Sequence, residues 1–326
     1  MTTHKVTFHD VMRWSDEDCR DFLETMRWPD GPVCPKCGGT DPYRITRKNP
    51  GKNVQRSLYR CRVCKKQYTA TVGTIFEDSK IPLHKWFAAI YLMCASKKGI
   101  SAHQIHRQLG ITYKSAWFLC HRIREAMRDK DINLLTGTVE ADETYVGGRR
   151  RGHKVWAERR EDEVKMGLRP KQPSPRADKT AVFGMLERGG IVRTMVVKDV
   201  NRDTLEALLL AGIDTENARL MTDGLSAYRV IKKHLPHEVI NHEETYVNGE
   251  VHTQGIENYW SLLKRGLIGV FHHVDAYYLP QYLQEFEYRF NRRGISDEER
   301  FAELFGQVEG RLAWYCQKPL SPNPFA

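Results

Sequence analysis

No apolar run in the 326-residue chain approaches the roughly 18–20 residues that cross a bilayer, which excludes a membrane-spanning helix. The first residues, MTTHKVTFHDVMRWSDEDCRDF, lack the basic-then-apolar pattern of an export leader, so a cytoplasmic, nucleoid-associated protein is expected. Without such a leader the eight cysteines argue against a disulfide framework and for metal ligation. Acid is in short supply: 41 Asp and Glu stand against 51 Lys and Arg, a formal net charge of +10. With a pI of about 9.1, that imbalance suits a polyanionic partner. Charged residues at 28% and hydrophobic residues at 40% are ordinary for a globular chain, and the length allows two or three domains.

Half of the cysteines share one pattern. Cys34-Pro-Lys-Cys37 and Cys61-Arg-Val-Cys64 are two C-x-x-C knuckles roughly two dozen residues apart. Each knuckle presents two thiolates, and four complete the tetrahedron that zinc prefers. A redox pair is the competing reading, although that chemistry needs one motif rather than two. Cys19, Cys94, Cys120 and Cys316 have no matching spacing and read as small core residues.

Residues 10–26 read as one helix, with Met12, Phe22, Leu23 and Met26 as its apolar candidates. After Pro82, LHKWFAAIYLMCAS is helical, then SAHQIHRQLG runs to a break at Gly110. Thr112 is the expected N-cap of YKSAWFLCHRIREAM. Two short helices about a glycine turn, the second opening at Lys114 and Ser115, suit a helix-turn-helix; any small helical bundle could supply the same pattern.

From Gly137 the periodicity becomes that of strands. Thr138–Val146 is followed by a basic insertion at 149–178 that carries Pro170, Pro173 and Pro175 and reads as a loop. Thr180–Glu187 and Ile191–Val200 form a hairpin about Gly189-Gly190. A helix (Asp203–Ala211), a strand (Ala218–Thr222), a helix (Leu225–His234), a short strand (Glu238–Asn241) and helices at 252–274, Leu279–Arg293 and Asp297–Phe305 complete the chain. Three strands in a meander and two reached through helices are the order of an RNase H-like α/β (α+β) fold. The expected domains are an N-terminal helix and ribbon at 1–79 and a helix-turn-helix-like region at 80–136. An RNase H-like domain at 137–310 and a C-terminal tail at 311–326 follow.

That order places Asp142 on the first strand, Asp223 at the end of the fourth and Glu257 on the following helix, so that three distant acids can gather. Such a cluster is costly without a divalent cation, and all-oxygen ligands favour Mg2+ or Mn2+. Glu140 shares the strand face of Asp142, and Glu143 faces the other way; each is open as a solvated charge or a support for the metal ligands. Asp223-Gly224 by itself also reads as a turn. On the helix, Ile256, Trp260, Leu263 and Leu267 form an apolar stripe. Glu257 then lies at the buried margin of that stripe, Lys264 on the same side two turns on, and Asn258 on the far side.

With these motifs in order, the chain resembles bacterial insertion-sequence transposases of the DDE class, the type with an N-terminal zinc ribbon and an RNase H-like catalytic domain. The resemblance rests on the two cysteine knuckles, GTIFEDSKIPLHKW at 73–86, VEADETYVGG at 139–148, TDGLSAY at 222–228, HTQGIENYWSLLKRGLIGVFHHV at 252–274 and YLQEFEYRFNRR at 282–293. It implies metal-dependent cleavage of DNA at the element's ends and transfer of the freed 3′-hydroxyls into target DNA. It maps Asp142, Asp223 and Glu257 onto the catalytic acids and Lys264 onto the family's basic helix residue. Some relatives use asparagine as the third ligand, which leaves Asn258 beside Glu257 as the alternative. Lys114, Arg265, Arg289, Arg292 and Arg293 are expected DNA contacts, with a homo-oligomer in the synaptic complex. A zinc-ribbon DNA-binding protein without catalysis and an RNase H-like nuclease without strand transfer are the competing readings.

Overall fold

A computed structural model describes residues 6–45, 58–130, 133–147, 165, 179–240 and 251–310. The chain forms two compact units, residues 1–129 with 292–317 and residues 130–291 with 318–326. The insertion at 149–178 (Lys165 apart), the tail at 311–326 and Cys316 lie outside the described residues.

The first unit opens with two helices where one is expected, α1 (Phe8–Arg13) and α2 (Asp16–Arg27). Ser15 causes the break. Its backbone is extended, its hydroxyl accepts the Asp18 N–H at 3.2 Å, and the Asp18 carboxylate accepts the Ser15 N–H at 2.8 Å. That reciprocal capping box starts a new helix. Met12, expected in the core, is 54% exposed on the short first helix.

A three-stranded antiparallel ribbon follows, β1 (Pro42–Ile45), β2 (Leu58–Cys61) and β3 (Gln67–Tyr68). Tyr59 and Tyr68 stack at 5.7 Å, and Trp28 packs edge-on against both. Helix α3 (Leu83–Ala95) buries residues all round. Helices α4 (Ala102–Leu109) and α5 (Tyr113–Ala126) meet about Gly110, whose φ of 59° is the left-handed value glycine adopts freely. Thr112 caps α5 as expected, accepting the Ser115 N–H.

The second unit is a five-stranded mixed sheet of order β6-β5-β4-β7-β8. Its strands are β4 (Leu135–Val146), β5 (Thr180–Glu187), β6 (Val192–Val197), β7 (Ile213–Thr222) and β8 (His237–Val239). β4, β5 and β6 pair antiparallel, and β7 and β8 join parallel to β4. This is the RNase H-like arrangement.

Side chains alternate between the faces of the sheet with period two. Val139, Ala141, Phe183 and Met185 pack towards helix α6 (Arg202–Gly212) and a 3-10 helix at Ser226–Lys233. Val182 and Leu186 pack towards helix α7 (Gln254–Gly266) and helix α8 (Leu279–Asn291). The expected stripe of Ile256, Trp260, Leu263 and Leu267 is buried there. Helix α7 is shorter than 252–274: it passes into a π-helical turn at Leu267–Phe271. Gly184 lets it lie close to β5, since a Cβ at that position would meet the Trp260 ring at 2.6 Å.

Helix α9 (Asp297–Phe305) belongs to the first unit, although the expected boundary of 137–310 grouped it with the sheet. Phe305 packs on Phe87 at 4.6 Å and on Phe22 at 5.1 Å.

Candidate active site and metal centre

The four knuckle cysteines converge. Sγ of Cys34 lies 3.7 Å from that of Cys64, and Sγ of Cys37 lies 3.6 Å from that of Cys61. A zinc tetrahedron with bonds of about 2.3 Å has edges of about 3.8 Å, so the thiols stand where zinc would hold them. Both knuckles have the same backbone. Cys34 O accepts the Gly38 N–H at 2.9 Å, and Cys61 O accepts the Lys65 N–H at 3.1 Å. Lys65 takes the positive φ (59°) that Gly38 takes in the first knuckle (71°). N–H groups of Cys64 and Val63 draw the Cys61 thiol down to about 7, which favours the thiolate a metal needs. All four Sγ atoms lie within 4.8 Å of one another, across the knuckles as well as within them, as a shared metal requires and a single redox motif does not. Cys19, Cys94 and Cys120 are buried core thiols, as expected.

The carboxylates are arranged differently. Ala141 of β4 pairs in parallel register with Thr222 of β7, so the next residues, Asp142 and Asp223, stand side by side. Burial, followed by the charges of Glu143 and Asp223, pushes the Asp142 carboxyl up to about 7. The indole N–H of Trp260 donates to Asp142 Oδ2 at 3.0 Å and ties α7 to β4. Asp223 Oδ1 accepts the Leu225 N–H at 3.1 Å, so it also makes the turn that its sequence allowed.

Glu257 is exposed, not at a buried margin, and accepts a hydrogen bond from the Thr253 hydroxyl at 2.8 Å. At 100° per residue it lies about 60° around the helix from Trp260, whereas Asn258, also exposed, lies about 160° away. Lys264 is exposed two turns beyond Glu257. Among the described residues, the four cysteines are the one group of three or more His, Cys, Asp or Glu whose ligand atoms all lie within 4.8 Å of one another. Asp142, Asp223 and Glu257 do not all come within that distance of one another. The side-by-side carboxylate oxygens of Asp142 and Asp223, with Asp142 reluctant to ionise, could hold a hard divalent cation.

Sequence reasoning undervalued several neighbours of these acids. Glu140 is fully buried, paired with Arg188 at 2.7 Å and bonded to the Ile256 N–H at 2.9 Å. Its place on the Asp142 face was legible; its burial and Arg188 were not. Tyr228 donates to Glu143 at 3.0 Å on the opposite face of the sheet. Beside Asp223, His237 Nε2 lies 2.8 Å from the Thr222 hydroxyl, and burial lowers this histidine to about 4, which keeps it neutral. Trp260 read only as part of an apolar stripe, and nothing in its spacing announces the bond to Asp142.

The expected DNA contacts divide. Lys114, on the first turn of α5, is exposed, as is Arg265, whose Nε donates to Ser261 O. Arg293 is also exposed. Arg289 is not available to a phosphate: it is 5% exposed, pairs with Glu285 and lies over the Phe286 ring. Glu285, four residues earlier on the same helix, supplies that partner. Arg292 is held by Asp129 at 3.2 Å and Glu303 at 2.8 Å.

Comparison with known proteins adds to this geometry. Residues 134–291 match the ISXO2-like transposase domain, and residues 14–67 match the transposase zinc-ribbon domain. The chain is also 29% identical over 279 residues to a protein of Halobacterium salinarum described as an uncharacterized protein in transposable element ISH50, spanning 84% of this chain and 90% of that one. The cysteine knuckles fall within the first matched segment in chain order, and Asp142, Asp223 and Glu257 fall within the second.

Proposed function

We propose that this chain, an insertion-sequence transposase of the DDE class by its two matched domains, cuts DNA at the ends of its element and joins the freed 3′-hydroxyls to target DNA. The observation that carries this reading is the approach of Asp142, within β4, to Asp223, just past the end of β7, each one residue beyond the paired Ala141 and Thr222, with Asp142 held at about 7 by burial and by its acidic neighbours. Asp142, Asp223 and Glu257 are the residues that would hold Mg2+ or Mn2+. Glu257 is preferred to Asn258 because it lies on the Trp260 side of α7, which touches Asp142.

Bound there, the cations would activate the attacking oxygen and stabilise the leaving one. The protein's own groups do the rest. Trp260 orients the Asp142 carboxylate, and Lys264 and Arg265 offer charge to the phosphate backbone on the exposed side of α7. Phosphate contacts of this kind position DNA without reading its sequence. Arg293, Lys114 and the ribbon are proposed to add further contacts, and Arg292 only if DNA displaces its two carboxylate partners. Arg289 is left out. A second copy of the chain is proposed to join the two element ends.

The test compares Asp142→Asn, Asp223→Asn and Glu257→Gln with the unaltered chain on a DNA substrate carrying an element end. Each variant is expected to retain DNA binding and to lose Mg2+-dependent cutting by about a thousandfold, the several kcal/mol that metal stabilisation supplies. Normal cutting and joining by Asp142→Asn and Asp223→Asn would refute the reading. Hydrolysis without joining in the unaltered chain would identify a nuclease, and binding without hydrolysis a DNA-binding protein. Asn258→Ala, expected to be mild, decides the third ligand: a loss equal to that of Asp142→Asn would move the assignment from Glu257 to Asn258.

A further inference from the structure

The N-terminus of helix α7 gets little from its own flanking residues: His252 Nδ1 accepts the Gln254 N–H only at 3.4 Å, and the N-cap side chain adds nothing. Thr253 stands at the N-cap but makes no side-chain bond to the helix backbone; its hydroxyl donates to the Glu257 carboxylate instead. The acceptor comes from the sheet. Glu140 of β4, 0% exposed, receives the Ile256 N–H on Oε2 at 2.9 Å and the Arg188 Nε–H on Oε1 at 2.7 Å. Arg188 Nη2 donates to His252 O at 2.7 Å and lies 3.1 Å from His252 Nδ1, which is itself 3.4 Å from Glu140 Oε1. The approach is close enough to demand glycine at 255, where a Cβ would meet Glu140 Oε2 at 2.8 Å.

Burying a carboxylate costs several kcal/mol unless it is paired and hydrogen-bonded, and Glu140 is both. A helix start could be capped more cheaply by a serine or aspartate of its own. What the buried acid adds is a connection. Glu140 precedes Asp142 by two residues and shares its face of β4, and Trp260 of α7 bonds Asp142 itself. Strand and helix are therefore tied twice, once at the start of α7 and once a turn later, with Glu257 between the two ties.

We infer that Glu140, locked by Arg188, is a positioning residue that sets Glu257 against Asp142 and so tunes the affinity of the acid site for its divalent cation. The inference rests on the reading of Asp142, Asp223 and Glu257 as metal ligands. Supports of this kind typically cost about 10–100-fold in metal affinity when removed.

The measurement is Mn2+ binding to the zinc-loaded full chain without DNA, by paramagnetic resonance, together with amide exchange at 255–257 and the Mn2+ dependence of DNA cutting. Glu140→Leu is expected to weaken Mn2+ binding about 10–100-fold, to speed exchange at Ile256, and to raise the Mn2+ needed for half-maximal cutting by the same factor, with KM for DNA unchanged. Glu140→Gln, which keeps an oxygen for the Ile256 N–H, is expected to lose less. If Glu140→Leu does not fold, Glu140→Gln and Gly255→Ala carry the test: weakened Mn2+ binding in folded protein supports the role, and unaltered binding overturns it. Asp142→Asn separates the two readings. Unaltered Mn2+ binding and cutting in that variant would remove the metal site and Glu140's role together. Loss in Asp142→Asn beside unaltered Glu140 variants would remove the positioning role alone.

Discussion

The ribbon and the acid site both gather groups that become anionic, yet one is assembled and the other is spread. The four thiols stand at metal-ligand spacing, whereas Asp142, Asp223 and Glu257 do not all come within 4.8 Å of one another. The difference follows from how each set is held. Each knuckle is a five-residue turn closed by its own backbone bonds, so two ligands are placed by local geometry and only the two turns must meet. The acids come from two strands and a helix, and they repel one another as they ionise. The ribbon thus prepares its tetrahedron in the chain itself, and the acid site relies on sheet register and helix ties, and on the cation proposed for it.

The largest effect expected from this contrast is on the ribbon. Cys34→Ser should lose zinc and unfold the ribbon, since structural zinc is worth about 10–16 kcal/mol in apparent binding in small zinc modules. Metal analysis and amide exchange at 58–68 read this directly; full zinc retention would break the comparison. The sheet of the second unit should keep its own exchange protection.

The acid site should answer to pH instead. Asp142 has a folded pKa of about 7, above its ordinary 3.8. A raised carboxyl contributes stability that is fully present below the ordinary value and is lost as pH rises through 7. Zinc-loaded protein without other divalent cations should lose on the order of 2–3 kcal/mol between pH 4 and pH 8 from this group, discounted for solvent screening. Urea midpoints of the unaltered chain and Asp142→Asn measure it: the variant should lack this part of the slope, and saturating Mg2+ should remove it. Equal slopes in both chains would show that Asp142 ionises without cost.

A smaller change sharpens the helix tie. Trp260→Phe keeps the buried ring and deletes the N–H that lowers the Asp142 pKa. The acid limb of the cutting profile should move up by about one pH unit, equivalent to about 1.4 kcal/mol. A profile that stays in place would mean the bond has no part in ionisation. Tyr228→Phe is the mildest, costing about 1 kcal/mol of stability through the lost bond to Glu143 and leaving that limb in place.

Much of this is legible in the sequence. Thr180–Glu187 and Asp297–Phe305 have the expected bounds, and the strand order leads to the observed sheet. Other features were not. The start of β7 at Ile213 is hidden by the polar run Asp214–Asn217. The break at Ser15 depends on a capping box that a purely apolar count overlooks. Arg289 reads as a surface cation when its charge is counted without Glu285, the acid one helical turn before it.

By itself the sequence determined what local spacing can encode: two cysteine knuckles, the alternation of the strands, and the face that α7 buries. Tertiary structure alone decided that Glu140 is buried and bound to Arg188, 48 residues away, and that Trp260 reaches Asp142 across 118 residues. Periodicity states which way a side chain points along its own element. Which partner waits there is set by the order in which strands and helices pack, and the acid site is built from those partners.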